Sequence, residues 1–223
     1  MVLRGLQSLL GRLYDVEIGY DVYDFLVTDR RAVAGCGHAA ERRASEEELL
    51  LAETLDPGGS PCAGVALYLD AELLRRLEQA DPHHALTEAN LADYCTALEG
   101  VSHFVYSTWR LDRDLPVSLL ELETQAEVDK YAVTVFLLAG QSGAMFYPSQ
   151  VHTRLFDRVR FDPSLELEQY ERYRTAHRCA AQYCRRLEQR FVNRGVAKIE
   201  ALVRELRSFY RLGHAAKLRH ALA

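Results

Sequence analysis

The chain has 223 residues, 48% of them hydrophobic and 26% charged, with a net charge of −5. A chain of this length buries a full core without staples, and its five cysteines are odd in number and lack CxxC spacing, which excludes a disulfide framework and suggests reduced thiols in a cytoplasmic protein. No run approaches the ~18 apolar residues of a spanning helix, and the N-terminal MVLRGLQSLLGRLYDVE is broken by Arg4 and Arg12, unlike a signal peptide.

Leu3, Leu6, Leu10 and Leu13 recur at helical spacing and predict a short helix over 2–13. Val16, Ile18, Tyr20 and Val22 alternate, which predicts a strand over 16–27. Residues 29–45 read as a polar loop around Cys36 and His38, a pair with no partner pair at zinc-finger spacing. LLLAETLD and CAGVALYLD flank Pro57-Gly58-Gly59-Ser60-Pro61, the pattern of a β-hairpin. This turn lacks the residues of a phosphate-binding loop. Asp70 caps a helix with Leu73, Leu74 and Leu77 inward. Thr87 opens another, which Gly100 is expected to stop. The run from Val101 to Leu111, β-branched and aromatic on both sides, reads as a central strand holding a buried His103.

The organising element is the stretch Ser118–Gly140. Ser118 followed by Glu121 has the capping-box pattern, and Gly140 suits a C-terminal cap. Apolar residues fall on two opposite faces, so this helix is packed on two sides. Two polar seams separate those faces. One carries Glu123, Glu127, Lys130 and Thr134, and the other carries Glu121, Gln125 and Asp129. Carboxylates in such seams are costly unless paired, wet or bound to a cation.

Residues 141–163 hold Gly143, Pro148 and Pro163 with no long pattern, and form a connecting segment with an aromatic patch at Phe146 and Tyr147. Beyond it a long helix is predicted from Ser164 to about Phe191, then two shorter ones separated by Gly195 and Gly213. Residues 150–223 hold 16 Lys and Arg against 8 Asp and Glu, whereas residues 1–149 hold 11 against 24. The basic half therefore meets either the acidic half or an external partner. Arg172 and His177 fit R-x4-H, a spacing that resembles the catalytic motif of HEPN-type ribonucleases. That similarity covers these two residues, and no activity is carried over.

The expected fold is α+β: an N-terminal antiparallel sheet of about four strands on the central helix over 1–140, then the connecting segment 141–163, then a basic helical region over 164–223. Two functions fit. One is a non-catalytic binding or regulatory module whose basic, aromatic surface (Arg172, Tyr173, Arg178, Arg185, Arg186) takes a protein or a polyanion. The other is a metal-dependent hydrolase acting on a phosphate ester or nucleic acid. There His103, Glu123, Glu127, Asp129 and Lys130 supply the chemistry, and Glu123 and Glu127 hold magnesium or manganese. Convergence of His103 and a carboxylate seam on one concave pocket would favour the hydrolase. No membrane partner is expected, and the oligomeric state is left open.

Overall fold

A computed structural model describes residues 1–33, 46–55, 61–141, 150–157, 159, 161–191 and 199–223. Cys36 and His38, the tip of the Pro57–Ser60 turn, Phe146, Tyr147 and Gly195 lie outside the described residues. Among those described are nine α-helices and one three-stranded sheet. The class is mixed α and β, with one strand fewer than expected and much more helix.

Helix α1 (Val2–Tyr14) buries Leu3, Leu6, Leu10 and Leu13, and ends where Asp15 turns left-handed at φ 54°. Of the strand expected over 16–27, only the last two residues, Leu26 and Val27, pair; the part over 16–25 does not form a strand. Asp21 accepts a hydrogen bond from the Tyr23 amide at 3.0 Å and starts a single 3-10 turn, Val22–Phe25. A short side chain that bonds its own backbone competes with extended pairing in this way. Strand β1 (Leu26–Val27) and helix α2 (Arg30–Val33) follow.

The hairpin forms as expected, from β2 (Glu47–Leu55) and β3 (Pro61–Leu69), antiparallel with Leu49 opposite Leu67. Strand β1 lies parallel to β3 on its other side, so the order is β1-β3-β2 and β2 is an outer strand. Helix α3 (Ala71–Gln79) starts at Asp70, whose carboxylate accepts from the amides of Glu72 and Leu73.

The largest correction is α4 (Leu91–Leu111). One helix of 21 residues replaces the predicted helix and central strand. Its second half is rich in β-formers, but α1, α5 and the sheet pack around it. A segment apolar on every side is stable as a buried helix, and tertiary packing overrides its local propensity. Gly100 does not stop this helix. A Cβ there would stand 2.9 Å from Glu47 Cγ and from Leu67 Cδ1, so glycine lets the helix lie directly on the sheet.

Helix α5 (Leu119–Gly140) starts as expected, with Ser118 Oγ accepting from the Glu121 amide at 3.2 Å, and its C-cap is Gln141, one residue beyond the expected Gly140. It packs on α4, on α6 (Val151–Phe156) and on α7 (Leu167–Arg190). Helix α7 starts three residues later than expected because Asp162 and Ser164 close a polar turn first. Helix α8 (Ile199–Tyr210) lies on α1, and α9 (His214–Leu222) on α7 and α5. A single buried cluster draws on α1, α4, α5, α7, α8 and α9, so the basic helices share a core with the acidic half. Leu122 and Val133 of α5 are buried in it. Truncating either to alanine is expected to cost roughly 1–4 kcal/mol in urea denaturation; a loss under about 0.5 kcal/mol for both would place α5 outside the core.

Candidate metal centre

The two polar seams of α5 lead to two different places. Glu123, on the first seam, faces a cleft of about 300 Å³ bounded by β2, α4, α5 and α7, and with Glu127 it lines a lobe of about 220 Å³ that shares Glu99, Glu123 and Tyr173 with that cleft. Glu99 and His103 stand one turn apart on α4, and a ligand atom from each lies within 4.8 Å of one from Glu123. His103 Nδ1 is 3.4 Å from Glu47 Oε1, and its Nε2 is 3.5 Å from Glu123 Oε2. The second distance is beyond a well-formed hydrogen bond, and this nitrogen has no hydrogen-bond partner although His103 is only 7% exposed. Arg172, on α7, brings its Nε to 3.8 Å from Glu123 Oε1, and that nitrogen also lacks a hydrogen-bond partner.

Burial alone would lower the pKa of His103, but its polar contacts and charge interactions with Glu123 and Glu47 reverse this and hold it well above the usual imidazole range. Burial raises the Glu47 carboxyl, with His103 pulling the other way. The cluster therefore favours a positive charge at this point. That charge is a proton on His103, or a cation held by neutral imidazole and carboxylates. One nitrogen and two carboxylate oxygens form a mixed donor set suited to manganese and similar divalent ions.

Glu127 shares the seam but is already paired. Lys130 bridges it to Glu99, 2.8 Å away, and His177 Nδ1 lies 3.1 Å from it. Burial opposes its charge, yet Lys130 and His177 bring its pKa down to about 2. Lys130 thus fixes Glu99 from behind, and Arg172 and His177, the R-x4-H pair, line adjoining lobes of one cleft.

Asp129, expected beside Glu123, lies elsewhere. With Glu121 and Gln125 it forms a fully enclosed network between α5, α4, α1 and α9. Asp129 accepts from Ser102 at 2.5 Å, from Gln125 at 2.7 Å and from Tyr14. Lys217 of α9 donates to Gln125 Oε1 at 2.6 Å and to Tyr106 Oη at 2.8 Å, and Tyr106 donates to Glu121 at 2.5 Å. Burial raises the Asp129 carboxyl to about 6 and lowers the Lys217 amine to about 7.

The basic surface of α7 is partly committed within the fold. Arg186 donates to the last carbonyls of α9, 2.8 Å from Ala221 O, and Arg185 lies 3.5 Å from Asp157. Arg172 and Tyr173 belong to the cleft, and Arg178 is exposed.

Of the residues singled out from the sequence, His103, Glu123, Arg172 and Tyr173 meet in the cleft, and Lys130 and Glu127 adjoin it. Glu99 and Glu47 were not anticipated. Once 91–111 is one helix, the i, i+4 spacing of Glu99 and His103 is the signal for the first. Glu47 is 56 residues from His103 and carries no local signal. No family model, curated protein or solved structure matches the chain, and no described helix is long and apolar enough to cross a membrane.

Proposed function

We propose that the protein is a divalent-cation-dependent hydrolase of phosphate esters, working in the cleft between β2, α4, α5 and α7. The carrying observation is the meeting of Glu99, His103 and Glu123, from two helices, around a buried imidazole nitrogen without a hydrogen-bond partner. In this reading those three side chains hold the cation, Glu47 orients His103 through Nδ1, and Lys130 steadies Glu99. Arg172 would hold the oxygens of a phosphoryl group, and a cation held by those three side chains would supply Lewis-acid stabilisation of the charge that develops when water attacks it. A binding module built on the α7 arginines draws less support, because Arg185 and Arg186 are engaged within the chain.

The test is direct. Manganese titrated into the metal-stripped protein is expected to raise Tm by several degrees through mass action and to switch on hydrolysis of p-nitrophenyl phosphate. An unchanged Tm together with no cation-dependent hydrolysis would overturn the reading.

A further inference from the structure

We infer that the Lys130 ammonium stands where a second divalent cation would sit, so that the centre takes one ion beside a fixed positive charge. This rests on the hydrolase reading and sets the number of ions its cleft holds.

The first observation is that Glu99 belongs to two positions of positive charge. With His103 and Glu123 it forms the three-donor group of the cleft. Its Oε2 also accepts from Lys130 Nζ at 2.8 Å, and Lys130 pairs in turn with Glu127, three residues earlier on α5. One position thus lies among Glu99, His103 and Glu123, and the other between Glu99 and Glu127. Two-ion hydrolytic centres hold their ions about 3.5–4 Å apart, a separation that one shared carboxylate spans.

The second observation is that the two positions differ in what fills them. The Lys130 side chain is only 14% exposed. Glu99 and Glu127 converge on it, and carboxylates largely out of water are tolerated when a positive charge lies between them. A hard cation held by two carboxylates and water would meet the same need. Here an ammonium carried by the chain meets it. The first position is not filled in this way. His103 Nε2 is buried there without a hydrogen-bond partner, and Arg172 Nε stays 3.8 Å from Glu123.

The third observation is that Glu127 is aimed without help from Lys130. His177 Nδ1 is 3.1 Å from Glu127 Oε2, and His177 Nε2 is 3.2 Å from the carbonyl oxygen of Phe156. Both nitrogens of the ring face oxygen acceptors, which fixes the ring and, through it, the carboxylate. Glu99 and Glu127 also line the lobe of about 220 Å³. An ion entering that lobe meets two preset carboxylates, and Lys130 is the group that already holds both. The cleft therefore carries one exchangeable charge, and the second is part of the chain.

The experiment counts manganese bound per full chain, by isothermal titration and by electron paramagnetic resonance, in the wild type, Lys130→Ala and Lys130→Met. The wild type is expected to bind one equivalent without an exchange-coupled signal. Its hydrolysis of p-nitrophenyl phosphate should rise with manganese at a Hill coefficient of about 1. Lys130→Ala releases both carboxylates and vacates the space, so it should bind two equivalents, coupled through Glu99. Lys130→Met removes the charge but fills the space, and should bind one. Two equivalents on the wild type, or one on Lys130→Ala, would overturn the inference while leaving the hydrolase reading intact. Because Lys130→Ala leaves two carboxylates unpaired in the absence of metal, its circular dichroism is followed as manganese is added. Folding that saturates at two equivalents supports the inference, and a chain still unfolded at saturating manganese overturns it. If the wild type binds no manganese, the hydrolase reading fails. The role of Lys130 then stands only if Lys130→Ala binds manganese and loses it again when Glu127→Gln is added.

Discussion

Replacing Asp129 by alanine is expected to destabilise the protein by about 3–5 kcal/mol, the scale for removing one partner from a buried charged network. The change strips Ser102, Tyr14 and Gln125 of their shared acceptor. Through Gln125, which bonds both groups, it also loosens the seat of the fully buried Lys217. Lys217→Met should cost less, because it removes the buried charge and keeps much of the volume. Urea midpoints for both variants decide this, and a loss under about 1 kcal/mol for Asp129→Ala would mean the network is not a coupled unit. The pH dependence adds a sign. Asp129 titrates near 6 in the fold against an ordinary 3.8, so its contribution is fully present below 3.8 and is lost as pH rises through 6. Lys217 titrates near 7 against an ordinary 10.5, so the cost of keeping it charged is full below 7 and is relieved as pH rises. Wild type should therefore gain about 1–3 kcal/mol on Lys217→Met between about pH 7 and pH 9. A constant gap between the two proteins across that range would refute the burial of a titrating amine.

Glu123→Gln should abolish the manganese-dependent rise in Tm and lower hydrolysis at least about 100-fold, because a neutral amide is a poor ligand for a hard cation. Glu127→Gln is the informative control. It sits one turn away, but its carboxylate is already held by Lys130 and His177, so the metal-induced rise should persist. If both variants respond to manganese as wild type does, the cation is not bound at Glu123. If both lose the response alike, the site is wider than Glu99, His103 and Glu123.

The cap at Ser118 and the two seams of α5 were legible because they are local: a helix reports its own start and its own polar stripes. His103, Glu123 and Arg172 could be singled out by residue type. Their meeting could not, because it depends on how the run Val101–Leu111 folds. Read by intrinsic preference, that run is a strand, and the break at Gly100 puts Glu99 and His103 in different elements. Surrounded by α1, α5 and the sheet, it is a helix, and the two become a ligand pair. The opposite error came from α5 itself. The hydrolase reading grouped Asp129 with Glu123 and Glu127, although the seams already put it on the far side of the helix. Helical rotation sends Asp129 to the other side, where α9 supplies Lys217. The charge imbalance between the halves is likewise resolved partly inside the fold, through Arg172 with Glu123 and Arg207 with Asp15.

The missing side chain at Gly100 acts as a gauge. It sets how far the axis of α4 stands from the hairpin, and so how far His103, less than one turn on, stands from Glu47. A methyl group at that point would wedge the helix outward by pressing on Glu47 Cγ and Leu67 Cδ1 together. The glycine supplies no group to the proposed chemistry, yet by lying against Glu47 it sets how closely the imidazole meets its carboxylate. Evolution could therefore retune or silence this cleft by shimming one helix, with every polar residue in it left unchanged.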